Sequence, residues 1–277
     1  MNAVYTPAHV PAYGPGNALS DTRVMIARGL RRTVREPDAF TTALALPVIL
    51  MLLFVYVFGG AFEAGVKAGG AGYVNYVIPG LIVLCAGFGA GTTAVAVATD
   101  MSSGIVDRFR SMPIAAWSVL AGHIGASLAR NLLATALVIA VGLGVGWRPS
   151  AGPAQWAGAI AMIVVFILAM SWLAACFGLV VGSPEAATGA TFALMFIPYL
   201  SSAFVPASLM ARALRPIAAN QPFTPVIETM RGLWMGHTST GAAVGHEAWL
   251  AAVYCAAILA ISAATASWLF RHRTASR

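Results

Sequence analysis

Charge is scarce in this chain: Asp, Glu, Lys and Arg make up 9% of its 277 residues, against roughly 25% in a soluble globular domain. With 59% hydrophobic residues, the polar side chains are too few to cover a water-facing surface, which excludes the soluble, disordered and fibrous classes. Lysine is all but missing. Lys67 stands alone and is followed by Ala68, so no glycine-rich turn ends in the Lys-Ser/Thr pair that cradles nucleotide phosphates. The chain is therefore expected to carry no ATPase site of its own. The three cysteines, Cys85, Cys176 and Cys255, are far apart and sit in apolar runs; they form neither a disulfide framework nor a metal-ligand pair, and read as small buried hydrophobes. HExxH and GxSxG are absent, and no carboxylate cluster suits a metal. No catalytic, cofactor-binding or metal-binding residues are expected.

Long apolar runs are what the chain has instead. A helix crosses a bilayer with about 20 apolar residues. Charge-free runs, trimmed at turn residues, predict six spans near 41–62, 75–98, 117–146, 156–182, 186–207 and 248–270. An even number puts both termini on one side. Arg23, Arg28, Arg31, Arg32, Arg35, Arg108, Arg110, Arg271, Arg273 and Arg277 then share that side, against Lys67, Arg148, Arg212, Arg215 and Arg231 on the other. The excess predicts cytoplasmic N- and C-termini. No short apolar stretch with a small-residue cleavage site precedes the first span, so no signal peptide is expected.

Outside the spans, residues 1–20 are rich in Pro, Gly and Ala and read as a disordered leader. Residues 21–38 carry a helical pattern that places Arg28, Arg31, Arg32 and Arg35 on one face and Ile26, Leu30 and Val34 on the other. This is an amphipathic interface helix on the inner leaflet, or an ordinary basic flank that fixes topology; the two are compatible. Glu36-Pro37-Asp38 ends it. The six-span domain occupies 39–273 and leaves a short cytoplasmic tail, 274–277.

Two non-spanning segments stand out. The inner loop 99–114 mixes both charge signs with exposed apolar residues. Ile105, Phe109 and Met112 recur at i, i+4 and i+7, flanked by Asp107, Arg108 and Arg110, a pattern suited to docking a soluble partner at the membrane edge. The outer segment 208–236 is too polar to span and its first charge-free piece, Pro216 to Ile227, is too short, so a re-entrant or interfacial element is expected. Within it Glu228 and Arg231, at i and i+3, read as a structural pair rather than a catalytic one.

Inside span 3, His123, Ser127, Arg130 and Asn131 fall on one side of the helix. Such residues face a pathway or pair structurally, and the spacing alone leaves both open. GxxxG pairs occur at Gly87/Gly91, Gly142/Gly146 and Gly178/Gly182, but 28 glycines make a few such pairs expected by chance.

The string Gly104-Ile-Val-Asp107-Arg108-Phe109-Arg110-Ser-Met-Pro113-Ile after span 2, and Asn220-Gln-Pro222-Phe-Thr-Pro-Val-Ile-Glu228-Thr-Met-Arg231-Gly-Leu before the last span, resemble one family. It is that of the permease subunits of type-two ABC exporters, in particular the daunorubicin-resistance type of actinobacteria, over about residues 20–272. The resemblance implies an all-α integral membrane protein of six transmembrane helices, with an N-terminal interface helix and outer re-entrant helices before the last span. It implies that Asp100, Gly104, Ile105, Asp107, Arg108, Phe109, Arg110 and Pro113 belong to a coupling loop that rests on a separate ATP-binding subunit, which holds the ATP and Mg. It implies a second permease chain, identical or homologous, and outward transport of an amphipathic drug, antibiotic or lipid across a bacterial plasma membrane. Many relatives carry glutamates just ahead of the loop glycine, where this chain has Asp100. Export of a lipid-linked glycan is the alternative within the family. An autonomous channel or secondary transporter is the alternative outside it, and would call for intramembrane Asp or Glu; all nine acids lie at or beyond predicted span ends. A membrane-embedded enzyme would need a His/Asp/Glu cluster at one face, which His123 does not make.

Overall fold

A computed structural model describes residues 20, 22–29, 31, 37–63, 72–103, 116–181, 183–194 and 196–275. Among these residues every regular element is helical. The leading helix α1 covers 22–29. It is followed by α2 (Pro37–Leu52), α3 (Gly59–Glu63), α4 (Gly72–Ser102), α5 (Ala116–Val145), α6 (Pro153–Val181), α7 (Pro184–Leu194), α8 (Arg215–Asn220), α9 (Phe223–Met235) and α10 (Val244–Ala275).

Four of these, α4, α5, α6 and α10, are long and apolar enough to cross a membrane, and they agree with four of the expected spans to within a few residues. α4 is the axis of the bundle: it packs on α2, α5, α6, α7 and α9, and α10 closes the far side against α6 and α9. Being surrounded, α4 is apolar on every face and buries Tyr76 through Ala86 without a break. The core extends from there to Phe166 and Ile167 of α6, to Ile227 and Met230 of α9, and to Cys85 and Cys255. All three cysteines are free thiols, Cys176 half-buried.

The other two expected spans are not single long helices. Span 1, expected over 41–62, is α2 with Pro47 inside it, continued by a π turn at Leu53–Val57. That turn closes with Phe58 N donating to Leu53 O at 3.1 Å. The chain bends at Phe58 before α3, where Gly59 and Gly60 give the helix little propensity to continue. Span 5, expected over 186–207, stops as α7 at Leu194, resumes as a 3₁₀ turn at Ile197–Leu200 and runs irregularly through Ser201 and Ser202. Pro198 and Pro206 cannot continue an α-helical ladder. A broken backbone survives at membrane depth only where its polar groups find partners inside the protein. Here they do: Tyr76 Oη donates to Ser202 O at 2.8 Å, and Tyr73 Oη to Phe204 O at 3.1 Å.

Close approaches between helices are made by glycine. A Cβ on Gly178 of α6 would collide with the Ala94 carbonyl of α4, and one on Gly80 would lie 2.7 Å from Ala203 Cα. The glycines at 87, 91 and 178 thus serve packing within this chain: Gly87 faces Phe223 and Gly91 faces Thr191.

Candidate functional site

Three polar assemblies and an apolar cavity stand out among the described residues. The first lies where α1 meets the ends of α4 and α5. Met25 and Ile26 of α1 press on Gly122 and Gly125 of α5, and Gly29 on Ala126. This seats α1 against the bundle and aims Arg28 at the last turn of α4. Asp100 there is 4% exposed. Its Oδ2 lies 3.7 Å from Arg28 Nη2 and 3.1 Å from His123 Nε2. Three elements are tied to one buried carboxylate, four residues ahead of Gly104 in the sequence.

Two expectations bear on this junction. The resemblance puts Asp100 in the coupling loop; its carboxylate is buried at the end of α4 and faces Arg28 and His123. The helical pattern puts Arg28 on the headgroup-facing side of the interface helix, yet it is half-exposed and turned towards Asp100, while Arg31 is exposed. Arg32, Arg35, Gly104, Ile105, Asp107, Arg108, Phe109, Arg110 and Pro113 lie outside the described residues.

The second assembly joins α4, α5 and α6 near mid-span. Thr93 Oγ1 donates to Ser127 Oγ at 2.8 Å, Ser127 and Ser171 hydroxyls are 2.9 Å apart, and Asn131 Nδ2 donates to Ser127 Oγ at 3.1 Å. All four side chains are buried. Arg130 Nη2 donates to Thr92 Oγ1 at 2.9 Å. Of the two readings that spacing leaves open for the span-3 polar set, the geometry is that of interhelical pairing: His123 binds Asp100, Ser127 and Asn131 bind one another, and Arg130 crosses to α4. Sequence reasoning misses Thr93 and Ser171. The lone serine of α6 is the available signal.

The third assembly holds the hairpin formed by α8 and α9, within the segment expected to be re-entrant. Glu228 and Arg231 are 0% and 1% exposed and form an ion pair through Oε1 and Nη1. Glu228 also accepts from Ser202 Oγ at 2.7 Å, Ser239 Oγ at 2.6 Å and Ser239 N at 2.6 Å. Arg231 Nη2 donates to Tyr76 O and Ser202 O, each at 3.1 Å, and the guanidinium stacks 3.9 Å from the Tyr76 ring centroid. Burial alone pushes the Glu228 carboxyl up, but the Arg231 guanidinium and the Ser239 and Ser202 hydrogen bonds outweigh it and hold the carboxyl below the ordinary range. The expected structural pair is a pair in the geometry too; its partners Tyr76, Ser202 and Ser239 come from three other segments and have no local signature. Gly236, at φ +77°, caps α9 and donates to Gly232 O. Trp234 packs edge-on to Trp147 at 5.0 Å.

From this anchored end α9 descends into the bundle. Its first residue, Phe223, meets Gly87 and Phe166, which are central in α4 and α6. The turn of the hairpin is fixed by Thr224 Oγ1 donating to Ala218 O at 2.6 Å and by Asn220 O accepting from Tyr254 Oη at 3.2 Å. Asn220 Nδ2 bonds its own helix at Pro216 O, and Pro222 is the N-cap of α9. Beside Phe223 lies an apolar cavity of about 60 Å³, walled by Phe88, Ala90, Met170, Ala174, Phe177 and Pro198 among others.

Four helices of membrane length, joined by interhelical serine and threonine hydrogen bonds, fit an integral helical membrane protein. Comparison with known proteins gives the family. Residues 20–235 match the model of the ABC-2 type transporter family, and the chain belongs to it. It is similar to the daunorubicin resistance ABC transporter permease protein DrrB1 of Streptomyces coeruleorubidus, 27% identical over 220 residues, or 79% of this chain and 76% of that protein. It is also similar to the probable doxorubicin resistance ABC transporter permease protein DrrC of Mycobacterium tuberculosis, 26% identical over 253 residues and 90% of each chain. This chain is accordingly a multi-pass membrane permease of the ABC transporter class.

Proposed function

We propose that this chain is the membrane-spanning subunit of an ATP-driven exporter and carries an amphipathic drug, antibiotic or lipid outward, in partnership with a second permease chain and a separate ATP-binding subunit. The observation that carries the reading is the junction at Asp100. A buried carboxylate at the end of α4 gathers α1 through Arg28 and α5 through His123, directly before the segment that resembles a coupling loop. A push on that loop by a partner reaches three helices at once through the contacts of one buried carboxylate. In this reading the α1 end of the bundle faces the cytoplasm, both termini lie there, the chain crosses six times, and the α8–α9 hairpin enters from outside. ATP acts only by favouring one of two arrangements of the partner subunits, since a ligand shifts an equilibrium through differential affinity alone. Chemistry stays on the partner; this chain supplies the path and the lever.

The test is purification of the tagged chain from its own operon in mild detergent. A soluble protein with a Walker lysine, recovered in stoichiometric amount, is the expected outcome. Recovery of the permease alone, with ATP-independent solute flux in liposomes, overturns it in favour of a channel or secondary transporter.

A further inference from the structure

The last helix, α10, has two unlike faces. Ala251, Cys255, Ser262 and Ala266 are buried and share the face that packs against α6 and α9. On the opposite face the exposed positions run in helical register from Trp249 through Val253, Ala257, Ala260 and Ala264 to Trp268. No residue between the two tryptophans is charged. Polar groups resume just outside them. His246 is exposed three residues before Trp249, and Arg271 and Arg273 follow Trp268 in the sequence.

Trp249 is 67% and Trp268 57% exposed. They stand 19 residues apart, about 28 Å along an α-helix at 1.5 Å per residue, and the hydrocarbon core of a bilayer is about 30 Å thick. Tryptophan gathers at the two membrane–water interfaces, because its ring is apolar while its indole N–H calls for a polar partner. A packed helix is the competing cover. Ala252, Ala256, Ala260 and Ala264 recur every four residues on this side, a spacing that lets helix backbones approach. However, Val253 and Ile261, 43% and 67% exposed, project from the same face and hold a second backbone off. Inside lipid, helix association has no hydrophobic drive and depends on close approach. A packed helix also gives no reason for a large aromatic at each end of the strip, one bilayer thickness apart.

We infer that this face of α10 is a bilayer-facing surface, covered by the acyl chains of both leaflets, with Trp249 and Trp268 at the two headgroup boundaries. The surface carries its own depth scale. Tyr254 is five residues, about 7.5 Å, inside the Trp249 boundary, and its Oη donates to Asn220 O at 3.2 Å. The turn between α8 and α9 therefore lies within the leaflet on that side. The second permease chain of the proposed exporter packs on some other face than this one; that clause alone rests on the exporter reading, and the lipid contact does not.

The experiment uses the full chain in nanodiscs of phosphatidylcholine and phosphatidylglycerol, with Cys176→Ala removing the half-buried thiol and leaving the buried Cys85 and Cys255. A thiol-reactive nitroxide is attached, one position at a time, after Trp249→Cys, Val253→Cys, Ala257→Cys, Ala260→Cys, Ala264→Cys or Trp268→Cys. Collision of the label with oxygen, which dissolves among acyl chains, is compared with collision with a water-soluble nickel chelate. The oxygen-to-nickel ratio is expected to peak at Ala257 and Ala260, to be equal at Val253 and Ala264, and to be lowest at Trp249 and Trp268. A peak displaced by more than one helical turn, about 5.4 Å, overturns the proposal. So does shielding of the Ala257 and Ala260 labels from both reagents, or broadening of their spectra by a label on a second copy, since either means that protein covers the face. A second measurement needs no cysteine. Tryptophan fluorescence of the parent should be quenched more by phosphatidylcholine brominated near the headgroup than by one brominated near the chain ends, and Trp249→Phe/Trp268→Phe should lose roughly half or more of that difference. Stronger quenching by the deep bromines, or an unchanged difference in the double variant, overturns the proposal as well. A co-purifying ATPase with shielded α10 labels sinks this inference alone; the expected depth profile without a co-purifying ATPase sinks the exporter reading alone.

Discussion

Glu228 and Arg231 show how much a single residue can hold in this fold. Two opposite charges without exposed surface are tolerable because each is bonded several times over, and removing one partner leaves the other uncompensated at a typical cost of about 3–5 kcal/mol. Glu228→Gln is therefore expected to lower the thermal midpoint in detergent at neutral pH by more than a surface substitution would. The pH dependence has a definite sign. The folded carboxyl sits below its unfolded value, so its contribution is complete above the unfolded value of roughly 4.3 and is lost as pH falls through the folded one. The difference in midpoint between parent and Glu228→Gln should be constant from about pH 7 to 5 and shrink only below about pH 4. A difference that shrinks already between about pH 7 and 6 contradicts the assignment.

Among the elements, the helices that matter most are those that break. α2 ends in a π turn and a bend at Phe58, and α7 gives way at Leu194 to a 3₁₀ turn and irregular backbone. Regular helices are held by their own ladder, whereas the irregular stretch after α7 depends on Tyr73, Tyr76 and Arg231 to occupy the freed carbonyls. Where regular helices meet, the separation is set by glycine. Gly178 meets the backbone carbonyl of Ala94, which has no rotamer by which to retreat. Gly178→Val should force α4 and α6 apart and cost about 1–3 kcal/mol, read as an earlier melting transition and faster proteolysis. Gly144→Val, in a helix position with no atom near the added carbon, is the control and should change neither.

At the scale of the whole molecule, the chain in the proposed reading is one half of a path and carries no motor. The cavity beside Phe223 is smaller than a drug, and exposed apolar side chains such as Tyr56, Phe192 and Phe196 line the faces of the two interrupted apolar segments. In the same reading the cytoplasmic handle is the loop beyond Asp100. Reversing Arg108 and Arg110 together to Glu is expected to uncouple drug export from ATP hydrolysis by at least roughly tenfold, the equivalent of one lost charge-assisted contact, while the protein inserts at parental levels. Normal export by that double variant removes the docking role from these arginines. Because Asp100 is buried and already bonded, the proposed reading makes it a positioning residue and gives the docking contacts to the loop beyond it.

Much of this protein is legible in its amino-acid sequence. Apolar runs longer than a bilayer is thick can be satisfied only by membrane helices, so α4, α5, α6 and α10 follow from composition and length. The Glu228–Arg231 pair follows from helical spacing, and the absence of a P-loop from the near-absence of lysine. None of these depends on what the residues touch in the folded chain. The fate of the other polar residues is not legible, because a hydrogen bond between distant segments leaves no periodic trace. Asp100 and His123 are 23 positions apart, and Tyr76 and Arg231 are 155 apart. Span 3 offers His123, Ser127, Arg130 and Asn131 equally to a pathway or to pairing, and only the approach of α4 and α6, permitted by small residues on those helices, makes the geometry one of pairing. The breaks in spans 1 and 5 are hidden for the same reason. Hydropathy measures whether a segment belongs in the bilayer, while its continuity depends on which neighbours stand ready to take the carbonyls it lets go.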